Sequence, residues 1–216
     1  MCGRTRLVAD AQALEEAFGI AQAPELDPSW NLAPSERIAV IRTPGELEQL
    51  VFGWIPSFAP EPKIRWINAR AETVHKQSAF REAFRKRRCL VVVDAFYEWR
   101  AEAKDQPKQP FMTALASGKP FALAGIWERW TSRKTGEVVD SCAIITEPAR
   151  PPLDAIHDRQ PVILAPSDYA AWLDPASKDP ERLLTGARSD ELVVTAVSSA
   201  VNNARNKGPD CNEPAA

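Results

Sequence analysis

The 216-residue sequence lacks long apolar runs, metal-binding cysteine motifs and any large excess of charge. No apolar segment approaches the roughly 20 residues that a membrane span needs, and no charged segment followed by an apolar stretch begins the chain. The four cysteines show neither CxxC nor Cys/His spacing, which argues against a zinc site and against a disulfide framework. These absences predict a cytoplasmic protein with free thiols that uses no metal and no cofactor.

Glycine is also scarce, with 9 glycines against 19 prolines, and neither a Gly/Ser-rich linker nor an internal repeat divides the chain. A single domain is therefore expected, and the many prolines favour the short elements of an α+β fold over a helical bundle. The polar, turn-rich residues 202–216 are expected to form a tail that is either loose or draped over a domain at 1–201. We expect a mixed or largely antiparallel sheet, curled toward a barrel, with short helices at its margins.

Local patterns predict where these elements lie. Asp10 is typical of the N-cap of a helix that ends at Phe18, and the apolar residues 89–93 indicate a strand buried on both faces. Residues 30–34 are predicted to form a loop, because Pro34 disfavours helical geometry in the preceding residue. Further strands are predicted at 37–42, 48–55, 110–116, 121–127, 139–146, 161–165 and 191–198, and further helices at 71–76, 78–87, 167–173 and 179–185.

The net charge of −2 gives no general attraction to nucleic acid, but the positive charges are unevenly distributed. Between residues 63 and 88, nine Lys and Arg residues stand against two Glu residues. The aromatic residues beside or within this segment are Trp54, Phe58 and Trp66. Cations that bind phosphates and flat rings that stack on bases are what a single nucleic-acid strand requires. A solvated helix face next to core aromatics is the alternative explanation of the same pattern.

Cys2 is the most informative single position, because removal of Met1 would leave a cysteine with a free amine and a free thiol. An α-amine titrates near 7.7–8.0 and a lysine near 10.4, so at pH 7 the terminal amine has on the order of a hundredfold more free base. It can form a Schiff base with an aldehyde, and attack of the neighbouring thiol on that imine closes a five-membered thiazolidine ring. The sequence therefore contains the elements of a covalent aldehyde trap.

Two other interpretations of Cys2 stay open at this point. If Met1 is retained, Cys2 is an ordinary residue near the chain end. If Met1 is removed, the thiolate could instead attack an amide, as in the N-terminal-nucleophile amidohydrolases. The residues around the cysteine decide between them.

Motifs along nearly the whole chain resemble the SRAP family of abasic-site processing proteins. They are Met1-Cys2-Gly3-Arg4; Trp30-Asn31-Leu32-Ala33-Pro34; Gly53-Trp54-Ile55-Pro56; Ile67-Asn68-Ala69-Arg70-Ala71-Glu72-Thr73; Phe80-Arg81; Arg87-Arg88-Cys89-Leu90; Phe96-Tyr97-Glu98-Trp99; Phe121-Ala122-Leu123-Ala124-Gly125-Ile126-Trp127; Ile144-Ile145-Thr146; Ile156-His157-Asp158-Arg159-Gln160-Pro161-Val162; Val201-Asn202-Asn203; and Gly208-Pro209. No single block is decisive, but so many in the right order form a specific signal.

The resemblance implies a single SRAP-type domain that reacts with an abasic site in single-stranded DNA. Cys2 would form a thiazolidine with the sugar aldehyde, Asn68 would position the Cys2 amine, Glu98 would relay protons, and His157 would assist opening of the sugar ring. The DNA contacts that it implies are phosphate clamps at Arg70 and Arg159, with weaker carry-overs at Arg4, Arg81 and Trp54. It also implies self-removal of the initiator Met, a peptidase activity, and some lyase-like reactivity. We expect a monomer whose partner is DNA, with no membrane partner.

Three positions depart from the family pattern, namely Phe52 in place of Trp, Ala95 in place of Gly and Gln160 in place of Met. Without the resemblance, the site residues have simpler explanations. Glu98 would be a structural ion-pair partner, His157 a surface loop residue and Asn68 a cap for a following helix. A peptidase or amidohydrolase that uses Cys2, and a non-catalytic single-strand binding module, are the alternative functions.

Overall fold

The computed structural model describes residues 2–101, 107–184 and 191–215. Its strands are β1 Thr5–Leu7, β2 Ser29–Leu32, β3 Arg37–Thr43, β4 Glu46–Phe52, β5 Asn68–Arg70, β6 Arg88–Val93, β7 Ala95–Arg100, β8 Gln109–Leu115, β9 Phe121–Thr131, β10 Val138–Pro148, β11 Arg159–Pro161, β12 Ile163–Leu164 and β13 Leu192–Ala196. Its α-helices are α1 Ala11–Phe18, α2 Arg81–Lys86 and α3 Tyr169–Leu173, and short 3₁₀ turns occur at Leu153–Ala155, Pro166–Asp168, Pro180–Leu183, Ser199–Asn202 and Pro209–Asn212. The predicted α+β class is confirmed.

Two sheets organise the described residues. The first has the order β13-β8-β7-β1-β2. The second has the order β11-β10-β4-β3-β6-β9-β12, and because β9 also pairs with β10, its central strands close on themselves as a barrel. The pairings of β10 with β4 and with β5 are parallel, whereas the other pairings are antiparallel. The predicted mixed and curled sheet is therefore confirmed.

Strand β6 separates the two main parts of the hydrophobic core. All six of its residues are buried. Leu90 and Val92 face one cluster, which contains Trp54 and Trp172, while Cys89, Val91 and Val93 face the other, which contains Cys2 and Phe52. Burial on both faces explains why this strand has no polar alternation, as its sequence predicts.

Several local predictions hold and others do not. Helix α1 has Asp10 as its N-cap, whose carboxylate accepts from the Ala13 N–H, and ends at Gly19 in the left-handed conformation. In contrast, residues 30–34 were expected to form a loop but begin inside strand β2, and the helix expected at 71–76 is a series of turns. At residues 29–32 the local preference was overridden by pairing of β2 with β1. The end of the predicted helix 179–185 lies outside the described residues.

The C-terminal tail is draped over the domain rather than loose. Nδ2 of the buried Asn31 donates to the carbonyl oxygens of Val201, Asn203 and Asn206 at 2.9–3.1 Å. The Lys207 ammonium group donates to the Asn31 carbonyl at 2.7 Å. One buried amide therefore holds the start of the tail. No helix among residues 2–101, 107–184 and 191–215 is long and apolar enough to cross a membrane.

Substitution of Asn31 tests this attachment. Asn31→Ala removes the side-chain donor of the Asn203 and Asn206 carbonyls, while the Val201 carbonyl keeps its bond from Arg4. We therefore expect a loss of about 2–4 kcal/mol of unfolding free energy and faster proteolysis of the tail. Asn202→Ala is the matched control, because the Asn202 side chain accepts one exposed bond from Trp99 Nε1, and it should cost less than about 1 kcal/mol. Urea unfolding and timed proteolysis measure both; equal losses would contradict the role of Asn31.

Candidate functional site

Cys2, Asn68, Glu98 and His157 come from four distant parts of the sequence and meet at one place. Cys2 precedes β1, which pairs antiparallel with β7 so that Thr5 lies opposite Phe96. The same register continues through the Tyr97 N–H, which donates to the Arg4 carbonyl at 3.0 Å. Glu98 therefore lies beside the Cys2–Gly3 segment. Met1 itself lies outside the described residues.

Asn68 holds the backbone of Cys2 directly. It lies in β5, opposite Ile144 of β10, and its Nδ2 donates to the Cys2 carbonyl oxygen at 3.0 Å. Its Oδ1 is buried and accepts no hydrogen bond from the described residues. An orphaned buried acceptor is costly unless a donor arrives, so Asn68 offers an acceptor at the place where the N-terminal residue is bound. It is a strand residue here and not the helix cap of the simpler explanation.

Glu98 and His157 form the ionisable part of the site. The Glu98 Oε2 lies 4.0 Å from the His157 Nε2, and the Glu98 side chain is almost fully buried. Burial raises the pKa of the Glu98 carboxyl above its ordinary value, and the neighbouring imidazole offsets part of that rise. The carboxyl can therefore keep a proton at a higher pH than an exposed Glu, as a proton-transfer group requires.

The Cys2 thiol is fully buried next to this carboxyl. Burial raises the pKa of Cys2 well above its usual range, and the negative charge of Glu98 raises it further. Burial also raises the pKa of Cys142, to about 12, and Cys89 is equally inaccessible. What distinguishes Cys2 from these two thiols is its contact with Asn68 and Glu98.

His157 is presented by the loop that joins β10 to β11. Its Nδ1 lies 3.0 Å from the Arg159 backbone N–H, which donates to it, and 2.7 Å from the Asp158 carboxylate. The first contact needs an unprotonated Nδ1 and the second needs a protonated one. Asp158 is exposed to solvent whereas the backbone bond is sheltered, so the neutral ring is expected to carry its proton on Nε2, which faces Glu98.

The two predicted phosphate contacts, Arg159 and Arg70, have different surroundings in the structure. Arg159 forms a bidentate pair with the Glu72 carboxylate and donates to the Thr146 carbonyl at 2.6 Å. Arg70 is exposed and lies two residues beyond Asn68 on β5. Both side chains therefore flank the site.

Arg4 and Arg81 are the two weaker predicted contacts. The Arg4 Nη1 donates to the Asn31 side chain at 2.7 Å and to the Val201 carbonyl at 2.8 Å, so part of its guanidinium is bound within the domain, next to the start of the tail. Arg81 is exposed at the start of α2.

Trp54 does not fit the DNA contact predicted for it. It is 0% exposed in the hydrophobic core, and its ring packs edge-on against Phe80, so no base can stack on it. The exposed aromatic side chains of this region are instead Phe58 at 72% and Trp66 at 45%. Trp66 lies within the basic segment and Phe58 beside it, but periodicity does not reveal which rings of a loop face outward.

The basic segment is partly structural. Arg88 is buried and donates to the carbonyls of Phe84, Arg85, Trp172 and Asp174. Arg87 pairs with Glu128 at 3.0 Å, and Lys86 pairs with Glu82 at 3.0 Å. Seven cations of the segment stay exposed, namely Lys63, Arg65, Arg70, Lys76, Arg81, Arg85 and Lys86. Both explanations of the segment therefore apply, to different residues.

Phe58 also borders a surface cleft of about 540 Å³, which lies between residues 57–62 and the β9–β10 hairpin. The hairpin contributes Arg133 and Lys134 to this cleft. None of the four central site residues lines it, so a search by cavity size alone does not find the site around Cys2.

Known proteins resemble the chain over its whole length. It matches the family described as SOS response associated peptidase (SRAP) over residues 1–204. It is 37% identical to the abasic site processing protein YoqW of Bacillus subtilis, over 99% of both chains. It is 27% identical to the abasic site processing protein YedK of Escherichia coli, over 99% of this chain and 100% of YedK.

Solved structures agree with this assignment. A protein from Bacteroides thetaiotaomicron superposes with a TM-score of 0.88 at 25% identity, covering 100% of both chains. A protein from Bordetella bronchiseptica superposes with a TM-score of 0.80 at 28% identity, covering 91% of this chain and 100% of that one. On the sequence match across residues 1–204, the chain belongs to the SOS response associated peptidase (SRAP) family.

Proposed function

We propose that this protein is a covalent sensor of abasic sites in single-stranded DNA. After loss of Met1, the Cys2 amine and thiol together capture the aldehyde of the base-less sugar as a thiazolidine, and the protein works as a monomer. The observation that carries this proposal is the meeting of Asn68, Glu98 and His157 around Cys2. The names of the relatives, abasic site processing proteins, support the same substrate.

The first step joins the Cys2 amine to the sugar aldehyde. The amine nitrogen attacks the aldehyde carbon and gives a carbinolamine, and loss of the hydroxyl group as water leaves an imine. Asn68 holds the Cys2 carbonyl through Nδ2, and its unfilled Oδ1 can accept an N–H of the new terminal amine. These two contacts of Asn68 would orient the amine before the aldehyde arrives, which lowers the entropic cost of the reaction.

The second step closes the ring. The Cys2 sulfur attacks the imine carbon, the thiol loses its proton and the imine nitrogen gains one, so the overall reaction releases one water. The buried Glu98 is suited to both transfers, because protonated it can supply the proton that leaves with water and deprotonated it can take the thiol proton. His157, at 4.0 Å from Glu98, would protonate the sugar ring oxygen so that the closed sugar opens to the aldehyde.

The surface around the site suits one strand of DNA. Arg70 and Arg159 flank Cys2, and a phosphate at Arg159 would replace the Glu72 carboxylate while the bond to Thr146 is kept. The exposed ring of Phe58 replaces Trp54 as the candidate stacking surface. Binding through these residues alone would describe a non-catalytic module, which the following experiment distinguishes from a covalent sensor.

Substitutions of Cys2 test the covalent chemistry. Protein whose N-terminus is confirmed as Cys2 by mass spectrometry should give a slow band with abasic single-stranded DNA on a denaturing gel, and Cys2→Ala should give none. Cys2→Ser keeps the amine but lacks the thiol, so its band should appear only after borohydride reduction of the imine. A stable band with Cys2→Ala would sink the proposal; peptide release without DNA would favour the peptidase.

The pH dependence of crosslinking tests Glu98. The rate should rise as the terminal amine loses its proton and fall as the pH passes through the raised pKa of Glu98, because the carboxyl then cannot supply a proton. Glu98→Gln carries no such proton, so we expect a rate about 10²-fold lower and no alkaline fall. Glu48→Gln, which removes a carboxylate paired with Arg42 on the far strand β4, is the control. A pH profile of Glu98→Gln equal to that of wild type would contradict the proposed role of Glu98 in proton transfer.

Substitution of Phe58 tests the stacking surface. Phe58→Ala should weaken binding to single-stranded DNA by about 1–3 kcal/mol, while Val193→Ala, which truncates another exposed apolar side chain, should not. Fluorescence anisotropy with an intact strand, which cannot crosslink, measures both. Equal affinities for wild type and Phe58→Ala would exclude this ring from the binding surface.

A further inference from the structure

The base of the His157 loop contains a buried polar pair that the proposed reaction does not use. Glu147 of β10 lies directly opposite Gln160 of β11. Their side chains are buried, with residue exposures of 3% and 2%. Burial of two polar side chains costs free energy that an apolar pair of the same size would avoid. The pair therefore calls for an explanation other than packing.

The contacts of this pair converge on Arg150, at the start of the β10–β11 loop. The Gln160 Oε1 accepts from the Arg150 backbone N–H at 2.9 Å, and its Nε2 donates to the Glu147 Oε1 at 3.2 Å. The other carboxylate oxygen of Glu147 accepts from the Arg150 guanidinium at 3.2 Å. Gln160, in β11 at the end of the loop, therefore binds the backbone at the start of the loop, just after β10.

A second bond joins the two sides of the loop next to this one. The Ala149 N–H donates to the Asp158 carbonyl at 2.9 Å, one position away from the Arg150–Gln160 bond. His157 itself is bound within the loop, where its N–H donates to the Leu153 carbonyl at 3.0 Å. Both cross-loop bonds lie next to the segment that carries His157, so they contribute to its distance from Glu98.

We propose that Gln160, with Glu147 as its acceptor, is a positioning residue for His157: it fixes the β10–β11 loop so that the imidazole Nε2 faces Glu98. Glu147 keeps the Gln160 amide in the one orientation that points Oε1 at the Arg150 N–H. A side chain without this amide, such as Met, can fill the same volume but cannot tie the two sides of the loop. The effect on catalysis rests on the function proposed above, whereas the effect on His157 does not.

The chain has only two histidines, His75 and His157, so the ring of His157 can be observed directly. With ¹⁵N-labelled histidine, the neutral form of the wild-type His157 ring should be held in the Nε2–H tautomer, because Nδ1 accepts the Arg159 N–H. Gln160→Met should move its two nitrogen shifts toward the averaged values of a mobile ring. His75→Gln assigns the signals, and Gln49→Met, at an exposed site of β4, is the matched control.

Glu147→Gln retains an acceptor for Gln160 and should leave the His157 signals close to wild type, which a purely electrostatic role of Glu147 would not allow. If Gln160→Met does not fold, Glu147→Met supplies the test, because it leaves Gln160 in place without its acceptor and should also mobilise the ring. Unchanged His157 signals in a folded Gln160→Met or Glu147→Met protein would overturn the proposal.

Crosslinking rates show whether the positioning matters to the reaction. Gln160→Met should crosslink to abasic DNA about tenfold more slowly than wild type, since small displacements of a catalytic group have effects of this size or larger. Its reaction with a small open-chain aldehyde, which needs no ring opening, should be unchanged. Equal slowing of both reactions would overturn the link to His157, whereas wild type that crosslinks to nothing would refute the proposed function and leave the NMR result standing.

Discussion

The backbone of strand β10 is the constraint on which the rest of the site depends. It pairs with β4 and β9 to close the barrel, and near its end it pairs with β5 and β11. β5 carries Asn68, and the connection from β10 to β11 carries His157. Because the hydrogen bonds of one strand set the register of both neighbours, a slip of one residue would turn Asn68 away from Cys2 and shift the loop of His157 together with it. The only central residues that β10 does not position are Cys2 and Glu98, which the pairing of β1 with β7 brings in from the other sheet.

The sequence was informative wherever the signal is local or the motif is specific. The cap and stop of α1, the fully buried strand β6 and the motifs around Cys2, Asn68, Glu98 and His157 could be recognised without coordinates. The errors occurred where tertiary contacts decide. Asn68 is a residue type that often caps a helix, but here it is a strand residue, because β10 offers it a parallel partner. Trp54 stands beside the basic segment but is buried, since packing of its ring against Phe80 removes a large apolar surface from water.

Arg88 shows why charge patterns alone overestimate a binding surface. In the sequence it is the last of a run of cations, yet four carbonyl groups from two separate segments receive its guanidinium protons. An arginine can be buried in this way because its donors match carbonyls that would otherwise lack partners at helix ends. Spacing cannot reveal such a role, because the carbonyls of Trp172 and Asp174 lie more than 80 residues away along the chain. The role of Glu147 and Gln160 could not be predicted for the same reason: their contacts with each other and with Arg150 arise only when β11 pairs with β10.

In the proposed binding mode, the present partners of Arg159 would prepare its guanidinium for an anion. Arg159 is held by the Thr146 carbonyl, a backbone group that cannot move away, and by the Glu72 carboxylate, an exposed side chain that can. An arriving phosphate would displace only the mobile partner, so the guanidinium need not be reoriented and little side-chain entropy is lost on binding. Salt has opposing effects on this exchange, because it screens the Arg159–Glu72 pair as well as the attraction of the strand to Arg70 and Arg159. On the proposed function, the net charge of −2 does not conflict with a DNA surface, because the Glu72 carboxylate would occupy the position of the phosphate until the strand binds.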